Sequence, residues 1–219
     1  MELSAEARLW WQGPECSAVE AWFEGLSDVG PGGPPLHDAS GEGTRKDLYL
    51  RDPEQVELGI KVRRSGEPDE RLEVKSLVDR RGEASPIGPV TIWSKSASEA
   101  LRIGGAPTIL TRKRRRLRKY GWDGAALAEI ALDETEKPRD GGKPEAGCNV
   151  EFTRVTVEGL EEVWWTLGFE AFGKLGDIEG ILRACIAQCL SAGPLPADGD
   201  SRPASYPEWL MRVAAKLLD

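Results

Sequence analysis

The sequence predicts an α+β fold: an eight-stranded antiparallel β-barrel with helices packed outside it and a helical C-terminal part. Three observations lead to this class. Short runs that alternate apolar and polar residues recur through the first 158 residues, separated by Gly and Pro, and such runs are typical of strands with one buried face. Helical spacing of apolar residues takes over after residue 158. The number of candidate strands, about eight, is enough to close a barrel.

The strands are predicted from this alternation, taken in chain order. In one of them Ile60 and Val62 alternate with Lys61 and Arg63, which places the two pairs on opposite faces. The candidate strands span residues 3–11, 45–50, 56–64, 71–78, 89–94, 108–120, 126–134 and 148–157.

The helices are predicted from apolar residues at spacings of three and four. At the last of them, Ser205 and Glu208 form a capping box that marks the N-terminus. The candidate helices lie within residues 15–26, 96–103, 158–173, 177–190 and 205–218. We expect a single domain over residues 1–219, with the barrel in 1–158 and the C-terminal helices in 159–219.

The net charge and the composition argue against two classes of partner, nucleic acids and membranes. The net charge is −8 and the pI is about 5.0, so nucleic acid and anionic membranes are unlikely partners for the molecule as a whole. No apolar run reaches the roughly 20 residues that a membrane-spanning helix needs. We therefore expect a cytoplasmic protein without a membrane segment, either a monomer or a homodimer.

The ionic residues of the strands can face either the solvent or the lumen of the barrel, and the expected function depends on which face they occupy. Strands with one ionic face commonly turn it to water, and this alternative stays open. Helices, however, need an apolar sheet face to cover, which favours ionic faces that point into the barrel. The run from Arg112 to Arg116 is charged at every position, and we favour Lys113 and Arg115 as inward, with Thr111. The other candidate inward residues are Glu6, Arg8, Lys61, Arg63, Glu73, Lys75, Glu129, Asp133, Asn149 and Glu151.

A lumen that carries both charge signs is suited to a polyanion together with a divalent cation. Arg and Lys neutralise phosphate oxygens, and carboxylates are preferred ligands of Mg²⁺ or Mn²⁺. A bound metal lowers the pKa of water, while cations stabilise charge on the leaving phosphate. The pattern therefore indicates phosphoryl transfer to water.

A series of short motifs, in this order, resembles the CYTH superfamily of triphosphate tunnel enzymes. The motifs are Ser4-Ala-Glu6-Ala-Arg8, "KDLYL" with Asp47 and Tyr49, "IKVR" with Lys61 and Arg63, "LEVK" with Lys75, then "RKRRR" and "NVE" with Glu151. The resemblance implies a closed tunnel that binds inorganic, thiamine or nucleoside triphosphates and hydrolyses them with Mg²⁺ or Mn²⁺.

The resemblance also implies roles for residues of this chain. The implied catalytic residues are Glu6, Lys75 and Glu151; the implied substrate-binding residues are Arg8, Lys61, Arg63, Lys75, Lys113 and Arg115. Glu6 and Glu151 are the implied metal ligands, and Asp133, or alternatively Glu129, is expected to substitute for a carboxylate that the motifs lack.

Three departures from the family pattern leave several functions open. Ser4 and Asn149 stand where the family has glutamates, and Arg8 stands where it has a lysine. Neutral ligands weaken a metal site, and arginine does not donate a proton at neutral pH. A metal-dependent triphosphatase, a triphosphate-binding protein without turnover, and a nucleic-acid-binding protein that uses residues 111–120 therefore remain as alternatives.

Overall fold

A computed structural model describes residues 2–37, 43–51, 56–84, 86–196 and 199–217. Its strands are β1 Glu2–Gln12, β2 Arg45–Leu50, β3 Leu58–Arg63, β4 Arg71–Ala84, β5 Gly88–Ser98, β6 Thr108–Trp122, β7 Leu127–Ile130, β8 Gly147–Val157, β9 Val163–Phe172 and β10 Arg202–Pro203. Its helices are α1 Ser17–Glu24, α2 Ile178–Ser191 and α3 Tyr206–Lys216.

Eight of these strands form a closed antiparallel barrel, which confirms the predicted fold class. The neighbours run in the order β1-β5-β4-β3-β2-β6-β8-β9, and β9 pairs back onto β1 to close the ring. The closing pair is long, with a register that extends from Ser4 opposite Phe172 to Gln12 opposite Trp164. Two short strands lie off the ring, since β7 pairs with β6 and β10 pairs with β1.

The segment 158–173, predicted as a helix, is strand β9, and the prediction was wrong. Its apolar residues fit both periods: Leu160, Val163 and Leu167 share a helical face, but Leu167 and Phe169 also alternate as in a strand. The alternation prevails because this segment fills the gap between β8 and β1, where both backbone edges need partners. The barrel therefore extends beyond residue 158.

Two further predictions were wrong. Residues 96–103 contain no helix, because β5 continues to Ser98 and irregular chain follows. The predicted strand 126–134 is only the four-residue β7, which pairs with β6 outside the ring. Strand β9 takes its place as the eighth member of the barrel.

The outer wall of the barrel is apolar where helices cover it. On β1 the alternate residues Ala5, Ala7 and Leu9 face outward, and β8 and β9 contribute Phe152 and Leu167 to the same buried cluster. Helices α1 and α2 supply the opposite side, with Val19, Phe23, Ile181, Leu182 and Cys185 among the contributors. This packing fixes the other face of each strand toward the lumen.

Helix α3 closes one end of the barrel. It begins as predicted, because Ser205 accepts from the Glu208 amide and the Glu208 carboxylate accepts from the Ser205 amide, a complete capping box. Its apolar side packs onto inward residues of several strands. This second cluster includes Trp10, Tyr49, Ile109, Val155, Trp164, Trp209, Leu210 and Val213.

None of the helices in the described part of the chain is both long and apolar enough to cross a bilayer.

Candidate functional site

A polar cavity occupies the part of the lumen that α3 leaves free. Its empty space is about 780 Å³, including the open mouth. Among the described residues, eight cationic side chains but three carboxylates line it. The cations are Arg8, Arg45, Lys61, Arg63, Lys75, Lys95, Lys113 and Arg115, and the carboxylates are Glu73, Glu151 and Glu170. An acidic protein thus concentrates positive charge in one place.

The wall formed by β2, β3 and β6 holds its cations around Asp47. The Asp47 carboxylate lies 3.0 Å from Arg45, 3.6 Å from Lys61 and 3.3 Å from Lys113. Burial alone would raise the pKa of Asp47, but the ammonium groups of Lys61 and Lys113 hold it well below its ordinary value. Asp47 is therefore a permanent anion that compensates part of the surrounding charge.

A second carboxylate, Glu73 on β4, serves the neighbouring part of the wall. It lies 3.3 Å from Lys61, 3.4 Å from Arg63 and 4.0 Å from Lys95. Burial would raise the pKa of Glu73, but Lys61 and Lys95 lower it to about 2. One carboxylate is thus shared by several cations, so their positive charge is only partly neutralised.

On β8, the strand next to β6, Glu151 joins two guanidinium groups. Arg8 donates to it over 2.5 Å and Arg115 over 2.9 Å, and these partners hold the pKa of Glu151 well below its usual range against the effect of burial. Gly168 makes this arrangement possible, because a Cβ at that position would lie 2.5 Å from the Arg8 guanidinium carbon. Gly168 stands opposite both Arg8 and Glu151 in the sheet register.

The third part of the site is a row of oxygen-bearing side chains across β1, β9 and β8. Glu6 accepts hydrogen bonds from Ser4 and Lys75. Glu170 stands opposite Glu6 on one side and opposite Asn149 on the other. Burial would raise the pKa of Glu170, but the nearby ammonium groups of Lys75 and Lys95 lower it. Glu170 thus remains ionised next to these ammonium groups.

Several buried polar atoms around the cavity have no hydrogen-bond partner among the residues that the structure describes. They include the Arg63 Nε, the Thr153 Oγ1 and the Asn149 Oδ1. Buried polar atoms without partners cost free energy of about 1–3 kcal/mol each. Because Arg63 and Thr153 line the cavity, a ligand with oxygen atoms that entered it would find a ready donor at Arg63 and a hydroxyl at Thr153.

Two lysines of the cavity, Lys61 and Lys113, lie in surroundings that disfavour their charged form. Burial lowers the pKa of Lys113 well below its ordinary value even though Asp47 opposes this change. Burial also lowers the pKa of Lys61. Both groups would hold their protons more firmly if additional negative charge entered the cavity.

The structure brings most of the predicted site residues together. Seven of them, Arg8, Lys61, Arg63, Lys75, Lys113, Arg115 and Glu151, line the same cavity, and Glu6 bonds to Lys75. The inward facing of Lys113 and Arg115 agrees with the prediction. Trp10 faces the lumen as well, but it lies in the closed end under α3.

Asp133 is the exception. It lies in the turn after β7, where its carboxylate accepts hydrogen bonds from the backbone amides of Thr135 and Lys137. Because β7 is outside the barrel ring, Asp133 is not part of the cavity lining, and the structure does not bring it together with Glu151. Glu129, the other inward candidate on this segment, instead pairs with Arg118 on the outer side.

Several cavity residues were missed by the sequence analysis. Glu170 was missed because its segment was taken as a helix, although the alternation of Trp164, Thr166 and Gly168 with outward apolar residues contained the signal. Arg45 stands opposite the inward Lys113 in the register, and Lys95 opposite Glu2, four residues before Glu6 on the same face of β1; these pairings between distant strands leave no local signal in the sequence. Tyr206 comes from α3, and no local pattern places a helix residue in a barrel lumen.

The predicted metal ligands do not come together around a common point. The described part of the chain holds no group of three or more His, Cys, Asp or Glu side chains arranged to hold a metal ion. Glu6 is engaged by Lys75, and Glu151 by Arg8 and Arg115. The predicted set of Glu6, Glu151 and Asp133 is therefore not assembled as a metal site.

The arginines on the outer face of β6 have structural partners. Arg116 donates to the carbonyls of Pro31 and Gly33, and Arg118 donates to the carbonyls of Phe23 and Glu24. These contacts fasten the chain around α1 to the barrel. The engagement of these side chains weakens the case for a nucleic-acid surface at residues 111–120.

No protein-family model matches the sequence, and no curated protein matches it either. The function must therefore be argued from the cavity itself.

Proposed function

We propose that the protein binds a small molecule that contains a triphosphate chain, inside the cavity of the barrel. The observation that carries this proposal is that, among the residues the structure describes, eight cations but three carboxylates line one cavity. Guanidinium and ammonium groups are the preferred protein partners of phosphate oxygens. The resemblance to the CYTH superfamily supports the same ligand class.

The affinity would come from charge compensation in a sheltered site. The shared carboxylates Asp47 and Glu73 leave each neighbouring cation with part of its charge available. A triphosphate supplies several negative charges and many acceptor oxygens, and it would also occupy the donor at Arg63 that lacks a partner. An anion with fewer charges would satisfy fewer of these groups, so phosphate and diphosphate are expected to bind more weakly.

Calorimetric titration with inorganic triphosphate tests this function. We expect saturable binding that weakens with added salt, and a loss of about 10- to 100-fold in affinity for Lys61→Met, because one charged hydrogen bond is removed. Lys46→Met is the matched control, since Lys46 lies on the neighbouring strand β2 and is exposed. No binding to the wild-type protein, or an equal loss in both variants, would reject the proposal.

A second candidate function is hydrolysis of the bound triphosphate with Mg²⁺ or Mn²⁺. It is favoured by the row of Glu6, Glu170 and Asn149, in which the Asn149 Oδ1 lacks a partner. These are the side chains that would hold a divalent cation once Lys75 releases Glu6, and such a cation supplies an activated water. In this reading Lys75 and Glu151 keep the catalytic roles implied by the resemblance, with Lys75 binding phosphate and Glu151 orienting Arg8.

Phosphate release separates hydrolysis from binding alone. The measurement compares a panel of triphosphates with Mg²⁺, with Mn²⁺ and with a chelator, for the wild type and for Glu6→Gln and Glu170→Gln. Hydrolysis requires that release depend on the metal and fall at least about tenfold in each variant. Binding without any metal-dependent release would leave the protein as a triphosphate-binding protein. A cytoplasmic location and a monomeric or dimeric state remain predictions.

A further inference from the structure

The end of the lumen below α3 is filled with apolar side chains. Inward residues from five strands, Trp10, Tyr49, Ile109, Val155 and Trp164, belong to one buried cluster with α3. The Trp10 ring stacks on Trp209 at 4.2 Å with an interplanar angle of 5°. The Trp10 indole also donates to the Ala204 carbonyl over 3.0 Å. This end of the barrel is therefore a packed floor.

Tyr206 forms the surface of that floor. Its ring meets Trp10 edge-on at 4.9 Å and lies parallel to Tyr49 at 6.0 Å. The Lys113 Nζ lies 3.9 Å from the Tyr206 centroid and 4.7 Å from the Tyr49 centroid, and the Arg8 Cζ lies 4.7 Å from the Tyr206 centroid. The ionic cavity thus begins beside these two aromatic rings.

The solvent exposure of the cationic side chains differs between the two ends of the cavity. Next to the floor, the side chains of Lys113 and Arg8 are 2 % and 7 % exposed. Farther from it, those of Lys75 and Lys95 are 27 % and 29 % exposed. Solvent therefore reaches the cavity from the side of Lys75 and Lys95, and the deepest cations are the most desolvated.

From this geometry we infer that the cavity has one entrance and selects phosphate chains with a free, unesterified end, which it seats against Arg8 and Lys113 above Tyr206. The inference rests on the proposed function and narrows its ligand class. A terminal phosphate carries more charge than an esterified one, so it compensates the two most buried cations best. A chain with an organic group at each end would have to place one of these groups against the deep cations, which would then lose their phosphate partner.

The test compares ATP with a tetraphosphate esterified by adenosine at both ends, by calorimetric titration without metal. The two ligands have similar total charge, since the second ester removes one ionisation and the extra phosphate adds one. We expect ATP to bind at least about 100-fold more tightly, because two charged contacts are lost with the capped chain. If ATP and the capped tetraphosphate bound with affinities within about threefold of each other, the inference would be overturned, but the proposal of triphosphate binding would not. Failure of both ATP and inorganic triphosphate to bind would overturn the proposed function as well.

Two variants test which cations of the cavity produce the preference for a free phosphate end. Lys113→Met removes a deep cation and Lys95→Met removes one near the entrance; Asp47 keeps Arg45 and Lys61 as partners in the first variant. We expect Lys113→Met to reduce the preference for ATP over the capped tetraphosphate at least about tenfold, and Lys95→Met to weaken both ligands equally. An unchanged preference in Lys113→Met, with thermal unfolding showing a folded protein, would contradict selection at the floor.

Discussion

The inner and outer faces of strand β6 both carry cations, but the two faces use them differently. On the outer face Arg116 and Arg118 donate chiefly to backbone carbonyls of α1 and the chain that follows it. On the inner face Lys113 and Arg115 pair with carboxylates at the edge of an open cavity. The comparison teaches that residue type alone does not separate a cation committed to the fold from one that is available at a cavity, whereas the partners of the cation do.

The difference has a physical basis. A carbonyl oxygen that ends a helix has a fixed position and needs a donor, so an arginine that satisfies it is committed to the fold. A carboxylate shared among several cations compensates each of them only in part. Asp47 and Glu73 each serve three or more cations. The inner face therefore retains attraction for an anion, and the outer face retains little.

The largest expected effect is on the outer face, in Arg118→Met. Arg118 is fully buried and donates to the Phe23 carbonyl over 2.9 Å, the Glu24 carbonyl over 2.6 Å and Glu129 over 2.6 Å. Its loss leaves a buried carboxylate and two carbonyls without these donors, so we expect the free energy of unfolding in urea to fall by about 3–5 kcal/mol. Triphosphate affinity of the folded variant should stay at the wild-type value. If Arg118→Met instead kept its stability and lost triphosphate affinity, the outer face of β6 would be the one that binds the ligand.

The next prediction concerns the inner face, in Asp47→Asn. Removing this buried charge leaves Arg45, Lys61 and Lys113 less compensated, and we expect a loss of about 3 kcal/mol in the free energy of unfolding. Triphosphate should restore part of this loss, because it binds the folded state and supplies the missing negative charge. Differential scanning calorimetry with and without triphosphate should show a larger rise in Tm for Asp47→Asn than for wild type. Equal rises would mean that Asp47 does not compensate the binding cations.

The lowered pKa of Asp47 also predicts how the difference in folding stability between the wild type and Asp47→Asn changes with pH. A carboxylate with a depressed pKa in the folded state contributes stability at pH values above its unfolded pKa and loses it as the pH falls toward the folded pKa. The difference in stability between wild type and Asp47→Asn should therefore be full at pH 7 and shrink below about pH 4. Urea titrations across this range measure it, and a difference that grows in acid would contradict the assignment.

The contrast between the two faces was only partly predictable from the sequence. Alternate residues of a strand lie on the same face, so Lys113 and Arg115 share the face of Thr111. Once one residue of the strand is known to face inward, the facing of the others follows. The ring order was harder, because pairing between distant strands leaves no local trace. The segment of β9 satisfied two periodicities at once, and only the unpaired edges of β1 and β8 decide between them.

The missed site residues have the same origin. Glu170 belongs to β9, so an error in the type of that element removed a carboxylate from the predicted site. Asp133 was included because its segment alternates correctly, but β7 pairs with a single neighbour and lies outside the ring. Tyr206 enters the lumen through tertiary packing of α3, which no pattern within the helix specifies.

A smaller effect is expected from the buried lysines of the inner face. Burial holds the pKa of Lys113 and Lys61 below the ordinary value, and a bound polyphosphate would raise both. At about pH 9, where ATP is fully ionised, binding should be accompanied by net uptake of up to about one proton. Calorimetry in two buffers with different heats of ionisation measures this number. The uptake should fall in Lys113→Met and persist in Lys46→Met; no net proton uptake by the wild type would show that the lysines are already fully charged before the ligand binds.

The smallest expected effect is that of Arg112→Ala, and it is the sharpest test of the two faces because Arg112 is adjacent to Lys113 on β6. Arg112 pairs with Glu158 over 2.8 Å, but both side chains are well exposed. Exposed ion pairs contribute less than about 1 kcal/mol to stability, so urea denaturation should barely change. Triphosphate affinity should stay within about twofold of wild type, whereas Lys113→Met should lose about 10- to 100-fold. A comparable loss in both variants would mean that long-range positive charge, rather than the enclosed geometry of the inner face, attracts the ligand; added salt would then abolish the two losses together.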